Sequence, residues 1–399
     1  MGAPLAADQH RTIVDKILAS GRQLVIAVTG GGSGAISALV QTPGASRVVL
    51  EAVVPYSLAA LIEWIGGNPD QACSDATARA MAMAAFMRAR QLAPVTDPRS
   101  LVGIGFTGSM TTDRPKRGER RVHLAAQTAE RTEVHSIRLY DIHPRILQAD
   151  WHLARSHDEE FSTTTLLWLI ARACGAPVAQ FSNRPSELWQ GRVEDARPEW
   201  TELLLGLHPL AIVKPGSTDE HLTAGEAPPP AVVFPGAFNP PHVGHLRMAE
   251  IAEQRLGQPV AWELSIANVD KPPLDFIAIR TRVDALRAAD AQRPIALTNA
   301  STFREKANLF PGATFIVGAD TLARIAEPRY YGGDAAQRDA AVAEITRHNC
   351  RFLVFGREYE GRFRSLDDLA LPAALRTICD GVPATEFRED VSSTELRLN

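Results

Sequence analysis

The sequence predicts an α/β protein of two domains. Three observations carry this. Short apolar runs alternate with helix-spaced segments along both halves of the chain. The length, 399 residues, suits two domains at a rule of thumb of about 150 residues each. Residues 214–230, rich in Gly, Pro and acidic side chains and ending in Pro228-Pro229-Pro230, can neither bury much surface nor continue a helix. The expected division is a domain over 1–180, a connecting segment with a Pro-rich linker over 181–230, and a second domain over 231–399.

In the first half, strands are expected at 23–28, 48–54, 101–106 and 121–128, and helices at 8–19, 57–65, 74–91 and 158–174. Residues 181–213, with two Trp and three Pro, have no clear period. The second half opens with the apolar run Ala231–Phe234, then a Gly/Pro turn, then a helix through 246–256. From 260 to 267, Val260, Trp262, Leu264 and Ile266 alternate with Ala261, Glu263, Ser265 and Ala267, the period of a strand. Further strands are expected at 295–297, 314–317 and 352–355, with helices at 276–291 and 335–349 between them. Such alternation builds a mostly parallel sheet with helices on both faces. Ligands of such sheets gather at the carboxyl ends of the strands.

Composition narrows the class. Lys and Arg number 42 against 46 Asp and Glu, a net charge of −4, so no basic footprint for nucleic acid is expected. No apolar stretch approaches the roughly 18 residues needed to cross a bilayer, so no membrane partner is expected. The charged N-terminal segment lacks the apolar core of a secretory signal. The cysteines Cys73, Cys174, Cys350 and Cys379 are too few and too scattered for a disulfide framework or a CxxC zinc site. A cytoplasmic protein is the expectation, and a homo-oligomer.

The strongest chemical signal runs from Pro235 to His245, Pro-Gly-Ala-Phe-Asn-Pro-Pro-His-Val-Gly-His. It follows a buried-type strand and precedes a helix. Gly236 permits close approach of a phosphate to the backbone, and Pro240 and Pro241 are tolerated where helical N–H groups have no intrahelical partner. A helix start offers N–H donors and the positive end of its dipole, which suits an anion. His242 and His245 share one face there. Paired imidazoles in that position suit charge stabilisation on a phosphoryl group. The residues alone leave open a Pro-rich surface loop or a zinc site, although zinc needs two further ligands that no neighbouring cluster supplies.

This segment resembles the signature of the HxGH nucleotidyltransferases, and more narrowly of the nicotinamide and nicotinate mononucleotide adenylyltransferases. Two further segments agree in order and spacing. Phe315-Ile316-Val317-Gly318-Ala319-Asp320-Thr321-Leu322 is similar to a family segment, and Val391-Ser392-Ser393-Thr394-Glu395-Leu396-Arg397 to the family's second phosphate motif; the strand Phe352–Phe355 leads to Gly356 and Arg357. The resemblance implies a Rossmann-like doubly wound parallel sheet. It implies transfer of the adenylyl group of ATP to a mononucleotide, with release of pyrophosphate and with Mg²⁺ accompanying ATP. His242, His245, Lys271 and Arg397 would spread positive charge over the triphosphate. Gly236, Ala237, Phe238, Asn239, Gly318, Asp320, Arg357, Ser392, Ser393 and Thr394 would contact ATP or the second substrate. The acceptor phosphate is already anionic, so catalysis would be positioning and charge neutralisation. No protein-borne metal ligands are expected. Asp320 serves equally well as a helix cap, Lys271 as a solvated loop residue, and Ser392 with Glu395 as a capping box.

The first half is similar to the CinA C-terminal family, some of whose members are nicotinamide-nucleotide amidases. The similarity lies in Ala27–Gly34, in Val53-Val54-Pro55-Tyr56-Ser57, in the helix near 74–91 and in Gly103–Gly108. The family's nucleophilic Ser falls at Thr29 and its Lys at Leu61. A hydroxyl nucleophile needs an adjacent base or cation, so a domain kept for binding or regulation is expected. The turn Gly30-Gly31-Gly32-Ser33-Gly34 could cradle an anion but lacks the Lys of a Walker A loop. Two other functions stay open: a CinA-like amidohydrolase with a nucleotide-sensing C-terminal domain, and a non-catalytic nucleotide sensor.

Overall fold

The computed structural model describes residues 3–114, 118–139, 150–179, 188–215, 222–223, 228–269, 271–359 and 362–388. The chain divides into two compact units, Met1–Thr201 with Asp270–Ile277, and Glu202–Val269 with Ala278–Asn399.

The first unit runs α1 (Ala3–Leu18), β1 (Gln23–Thr29), α2 (Ser33–Val40), β2 (Val49–Val53), α3 (Leu58–Ile65), α4 (Asp75–Leu92), β3 (Leu101–Ser109), β4 (Arg121–Gln127), β5 (Arg131–Arg138), α5 (Trp151–Ala173) and β6 (Trp189–Asp195). Its sheet has the order β2-β1-β3-β4-β5-β6. β1 pairs in parallel with β2 and β3, and the strands from β3 to β6 pair antiparallel. β1 is apolar along nearly its whole length because helices cover both faces of the sheet there, as a buried parallel strand requires. One face packs Val14, Ile17, Leu39, Leu166 and Leu169 over Leu24, Ile26 and Ile104. On the other face Ala78 and Ala82 of α4 meet Ala125 and Val134.

Residues 270–277 belong to this unit. Asp275 pairs with Arg79, the Phe276 N–H donates to Thr132 Oγ1 at 3.0 Å, and Ile277 packs with Ala78 and Ala82.

A short helix, α6 (Pro198–Leu205), spans the division between the units. The second unit continues with β7 (Leu210–Val213), β8 (Leu222–Thr223), β9 (Val232–Pro235), α7 (Val243–Leu256), β10 (Val260–Ser265), α8 (Phe276–Ala289), β11 (Ile295–Thr298), α9 (Phe303–Leu309), β12 (Thr314–Gly318), α10 (Ala319–Ala326), α11 (Ala335–Arg347), β13 (Arg351–Phe355), a small hairpin of β14 (Arg357–Tyr359) and β15 (Arg362–Arg364), α12 (Ala373–Arg376) and β16 (Cys379–Val382). The main sheet has the order β16-β13-β12-β9-β10-β11-β7-β8. From β16 to β11 all pairings are parallel, and β7 and β8 add an antiparallel edge. The core on one face gathers Phe310, Phe315, Leu322, Val342, Ile345 and Phe352.

Among the described residues no helix is long and apolar enough to cross a membrane. Residues 181–213, which carry no sequence period, hold β6, α6 and β7 within their described part. The strand at 260–267 is more deeply buried than its alternation implies. Glu263, in an expected outward position, is 0% exposed.

Candidate functional site

The strand order of the second unit locates a crevice. From β9 the chain steps outward through β10 to β11. It then returns to the other side of β9 for β12 and continues outward through β13 to β16. The order reverses between β9 and β12, and ligands of open α/β sheets bind outside the carboxyl ends of strands at such a reversal. The two turns that leave this point are 236–242, after β9, and Gly318–Asp320, after β12.

The first turn is held from below by aromatic packing. The Gly236 N–H donates to the Glu263 carbonyl at 3.0 Å, which ties the turn to β10. Phe238 adopts a positive φ of 43° and turns its ring inward, where it is 1% exposed. The ring lies edge-on to Trp262 at 5.0 Å and to His245 at 5.2 Å between centroids. A Cβ on Gly236 would lie 2.5 Å from this ring, so the position needs glycine for close approach. Phe238 thus has its side chain in the core, beneath the turn, and Asn239 and Pro240 follow through a cis peptide bond.

His242 is the N-cap of α7, and His245 occupies its first turn. The rings are 3.7 Å apart between centroids and tilted by 34°. The His242 backbone N–H donates to His245 Nδ1 at 3.2 Å. Nδ1 is therefore the acceptor nitrogen, and the ring proton of the neutral imidazole resides on Nε2. Burial, and after it the charge of His242, push the His245 pKa down to about 3. At neutral pH His245 is an uncharged hydrogen-bond donor whose orientation is set by its own helix cap and by Phe238.

Across the crevice, Gly318 caps α10 and has open space where a Cβ would stand. Asp320, in the first turn of α10, pairs with Arg357 at 3.3 Å. Two candidate residues from different strand ends are thereby brought together. Lys271 belongs to the first unit, with its side-chain Cε against Gly67. Ser392, Ser393, Thr394 and Arg397 lie outside the described residues.

Sequence reading missed a buried ion pair next to the turn. Lys306 Nζ donates to both carboxylate oxygens of Glu263 at 2.7 Å and to the Ala300 carbonyl at 2.9 Å. The Thr298 hydroxyl also donates to Glu263. The pair clamps the ends of β10 and β11 to α9. One half of the signal was readable, since Thr302-x-x-Glu305 is a capping-box spacing that announces α9, and both reciprocal hydrogen bonds form.

In the first unit the glycine turn does hold an anion, and the anion is the chain's own. Glu159 of α5 accepts from the N–H groups of Gly32 at 2.9 Å and Gly34 at 3.1 Å, and from the Ser33 hydroxyl at 3.1 Å. Gly30, Gly31 and Gly32 have φ of 75°, 155° and 78°, the region that glycine enters without strain. Arg155, one turn earlier on α5, donates to the carbonyls of Gly30 at 2.9 Å and Thr111 at 3.1 Å. Thr29 and Leu61 are both buried.

Residues 233–399 match the cytidylyltransferase-like family. A Gloeobacter violaceus protein provisionally named nicotinate-nucleotide adenylyltransferase is 29% identical over 180 residues, covering 41% of this chain and 81% of that protein. A Schizosaccharomyces pombe protein provisionally named nicotinamide mononucleotide adenylyltransferase is 28% identical over 182 residues, covering 43% of this chain and 70% of that one. Among solved structures, the N-terminal region matches the competence/damage inducible protein CihA of Agrobacterium tumefaciens, at 21% identity and a TM-score of 0.34 over 42% of this chain and 94% of that one. A CinA superfamily protein of Escherichia coli matches at 16% identity and a TM-score of 0.32, over 41% and 90%.

Proposed function

From the nucleotidyltransferase domain of the second unit, we propose that the protein transfers the adenylyl group of ATP to nicotinamide or nicotinate mononucleotide, with release of pyrophosphate. The observation that carries this reading is the placement of the His242–His245 turn and the Asp320–Arg357 pair at the two strand ends that flank the reversal of strand order. The two provisional names borne by the relatives support the choice of acceptor.

In this reading the acceptor's phosphate oxygen attacks the α-phosphorus of ATP, and the bond to the leaving pyrophosphate breaks. No side chain needs to remove a proton from the nucleophile. The chain's work is to hold two polyanions in line and to offset charge that builds up on the α-phosphoryl oxygens. His245 donates from Nε2 while staying neutral, which avoids the cost of a buried imidazolium. His242 and the start of α7 add donors on the same side. Asp320 and Arg357, both about half exposed, are free to reorganise around a nucleotide. The donors around the turn are imidazoles and amides. They suit phosphate oxygens, so Mg²⁺ would be held by ATP itself and would supply charge neutralisation. Arg397 and the hydroxyls of Ser392, Ser393 and Thr394 are proposed as further phosphate contacts.

Pyrophosphate release measured across a panel of mononucleotides and nucleoside triphosphates tests this reading. Turnover is expected with ATP and a pyridine mononucleotide. Release only with CTP and a phosphorylated alcohol would replace the assignment.

A further inference from the structure

A polar cavity of about 310 Å³ lies in the first unit beside the start of α4. One wall is the face of β4 and β5 on which Arg121 stands directly opposite Arg138, and His123 directly opposite Ser136. Like charges at directly opposed positions of antiparallel strands repel, so this arrangement needs an anion nearby. Glu119 serves Arg138 at 3.2 Å, at the exposed rim. Asp75, which also lines the cavity and lies near enough to His123 to act on its charge, pairs with Arg79 at 3.7 Å. Arg121 has no carboxylate partner among the described residues; its Nη2 donates to the Cys73 carbonyl at 3.3 Å, which leaves most of its fork of donors uncommitted.

His123 stands in the same wall. Its Nδ1 lies 2.7 Å from the Ser136 hydroxyl, and its Nε2 is buried without a hydrogen-bond partner among the described residues. A buried polar nitrogen left unpaired is costly and calls for an explanation. With the Ser136 hydroxyl donating to Nδ1, the ring proton sits on Nε2 as a donor. That nitrogen has no accessible surface and lies behind the cavity wall, so the Arg121 guanidinium is the donor that an oxyanion in the cavity meets.

We propose that this cavity binds a small oxyanion, a phosphate monoester or a carboxylate, held by the Arg121 guanidinium, with His123 in the same wall as the reporter of binding. The site belongs to the first unit and is independent of the transferase reading.

The test is a titration of the full chain followed by side-chain ¹H–¹⁵N spectra of its histidines, with His123→Gln identifying the resonance. Inorganic phosphate is one probe and acetate the other. The His123 resonance is expected to shift and saturate with one of them, and the responding anion tells phosphate from carboxylate. In Arg121→Gln the midpoint should weaken at least about tenfold, as expected on losing a charge-assisted pair. Arg121→Lys, which keeps the charge without the fork, should fall between the two; both variants are compared at unchanged Tm. A His123 resonance that ignores both anions at millimolar concentration overturns the proposal. So does an unchanged midpoint in a folded Arg121→Gln or Arg121→Lys protein.

Discussion

The backbone N–H of His242 and Nδ1 of His245 form a 3.2 Å hydrogen bond that decides which nitrogen of His245 carries the proton of the neutral ring. The same contact caps α7, so helix geometry and tautomer are one device. An imidazole held this way costs nothing to reorganise when charge builds on a phosphoryl group.

Replacing His245 by Ala should therefore lower turnover at least about a hundredfold, the usual scale for one transition-state donor, while ATP binding falls much less. Pyrophosphate release and ATP titration check the two halves. Stability carries a second signature. The unfolded chain protonates this histidine below about pH 6.5, the folded chain only below about 3. Between those values the unfolded state holds more protons, so stability is complete above pH 6.5 and is lost as pH falls toward 3. Urea melts from pH 7 to pH 4 should show a loss of order a few kcal/mol, reduced in His245→Gln.

Two glycines of the site separate packing from binding. Gly236→Ala drives a Cβ to 2.5 Å from the buried Phe238 ring. It should cost about 1–3 kcal/mol, as other overpacked positions do, and should impair turnover by displacing the strut under His245. Gly318→Ala meets open space within the chain, so its stability should change by less than about 0.5 kcal/mol. A rise in KM for ATP or for the mononucleotide in a fully stable Gly318→Ala protein would place substrate in that space. An unchanged KM would exclude it.

The motif residues were legible because their chemistry is local. A strand, a Gly/Pro turn and two histidines at helical spacing lie within eleven consecutive residues, Pro235 to His245, and the fold brings them to a strand end as the alternation of elements implies. The inward turn of Phe238 was not legible, because it depends on Trp262 from a neighbouring strand. The burial of Glu263 was not legible for a related reason. A period of two assigns a polar residue to the solvent face, but a buried partner removes that rule. Here the partner is Lys306, 43 residues away. Antiparallel pairing beyond β3 also escaped the reading, since alternating apolar runs do not state strand direction.

That buried pair makes its own prediction. Removing one partner leaves the other charged and unpaired in the interior, which typically costs about 3–5 kcal/mol. Lys306→Met alone should destabilise the second unit by about that much. The double variant Glu263→Gln, Lys306→Met should recover much of the loss, because no lone charge remains. Denaturant melts of these two variants and of Glu263→Gln alone form the cycle. A double variant as unstable as the sum of the singles would mean that the two side chains are not coupled, and would defeat this account.

The last prediction concerns the chemistry of the first unit: it should not deamidate nicotinamide mononucleotide. An amidase of the kind the sequence resembles needs a hydroxyl nucleophile and a base to take its proton. Thr29 is buried, and Leu61, at the position of the base, is apolar and 2% exposed. The donors that the glycine turn offers to an anionic group are already taken by Glu159, through Gly32, Ser33 and Gly34. A carboxylate accepting three such bonds plugs the turn. Ammonia release from nicotinamide mononucleotide should stay at background in the full chain. Glu159→Ala leaves the turn's donors unpaired and should cost about 1–3 kcal/mol in the first unit, without creating amidase activity, since it supplies no base. Steady ammonia release that vanishes in Thr29→Ala would defeat this account. It would show that a base outside the described residues reaches Thr29 during turnover.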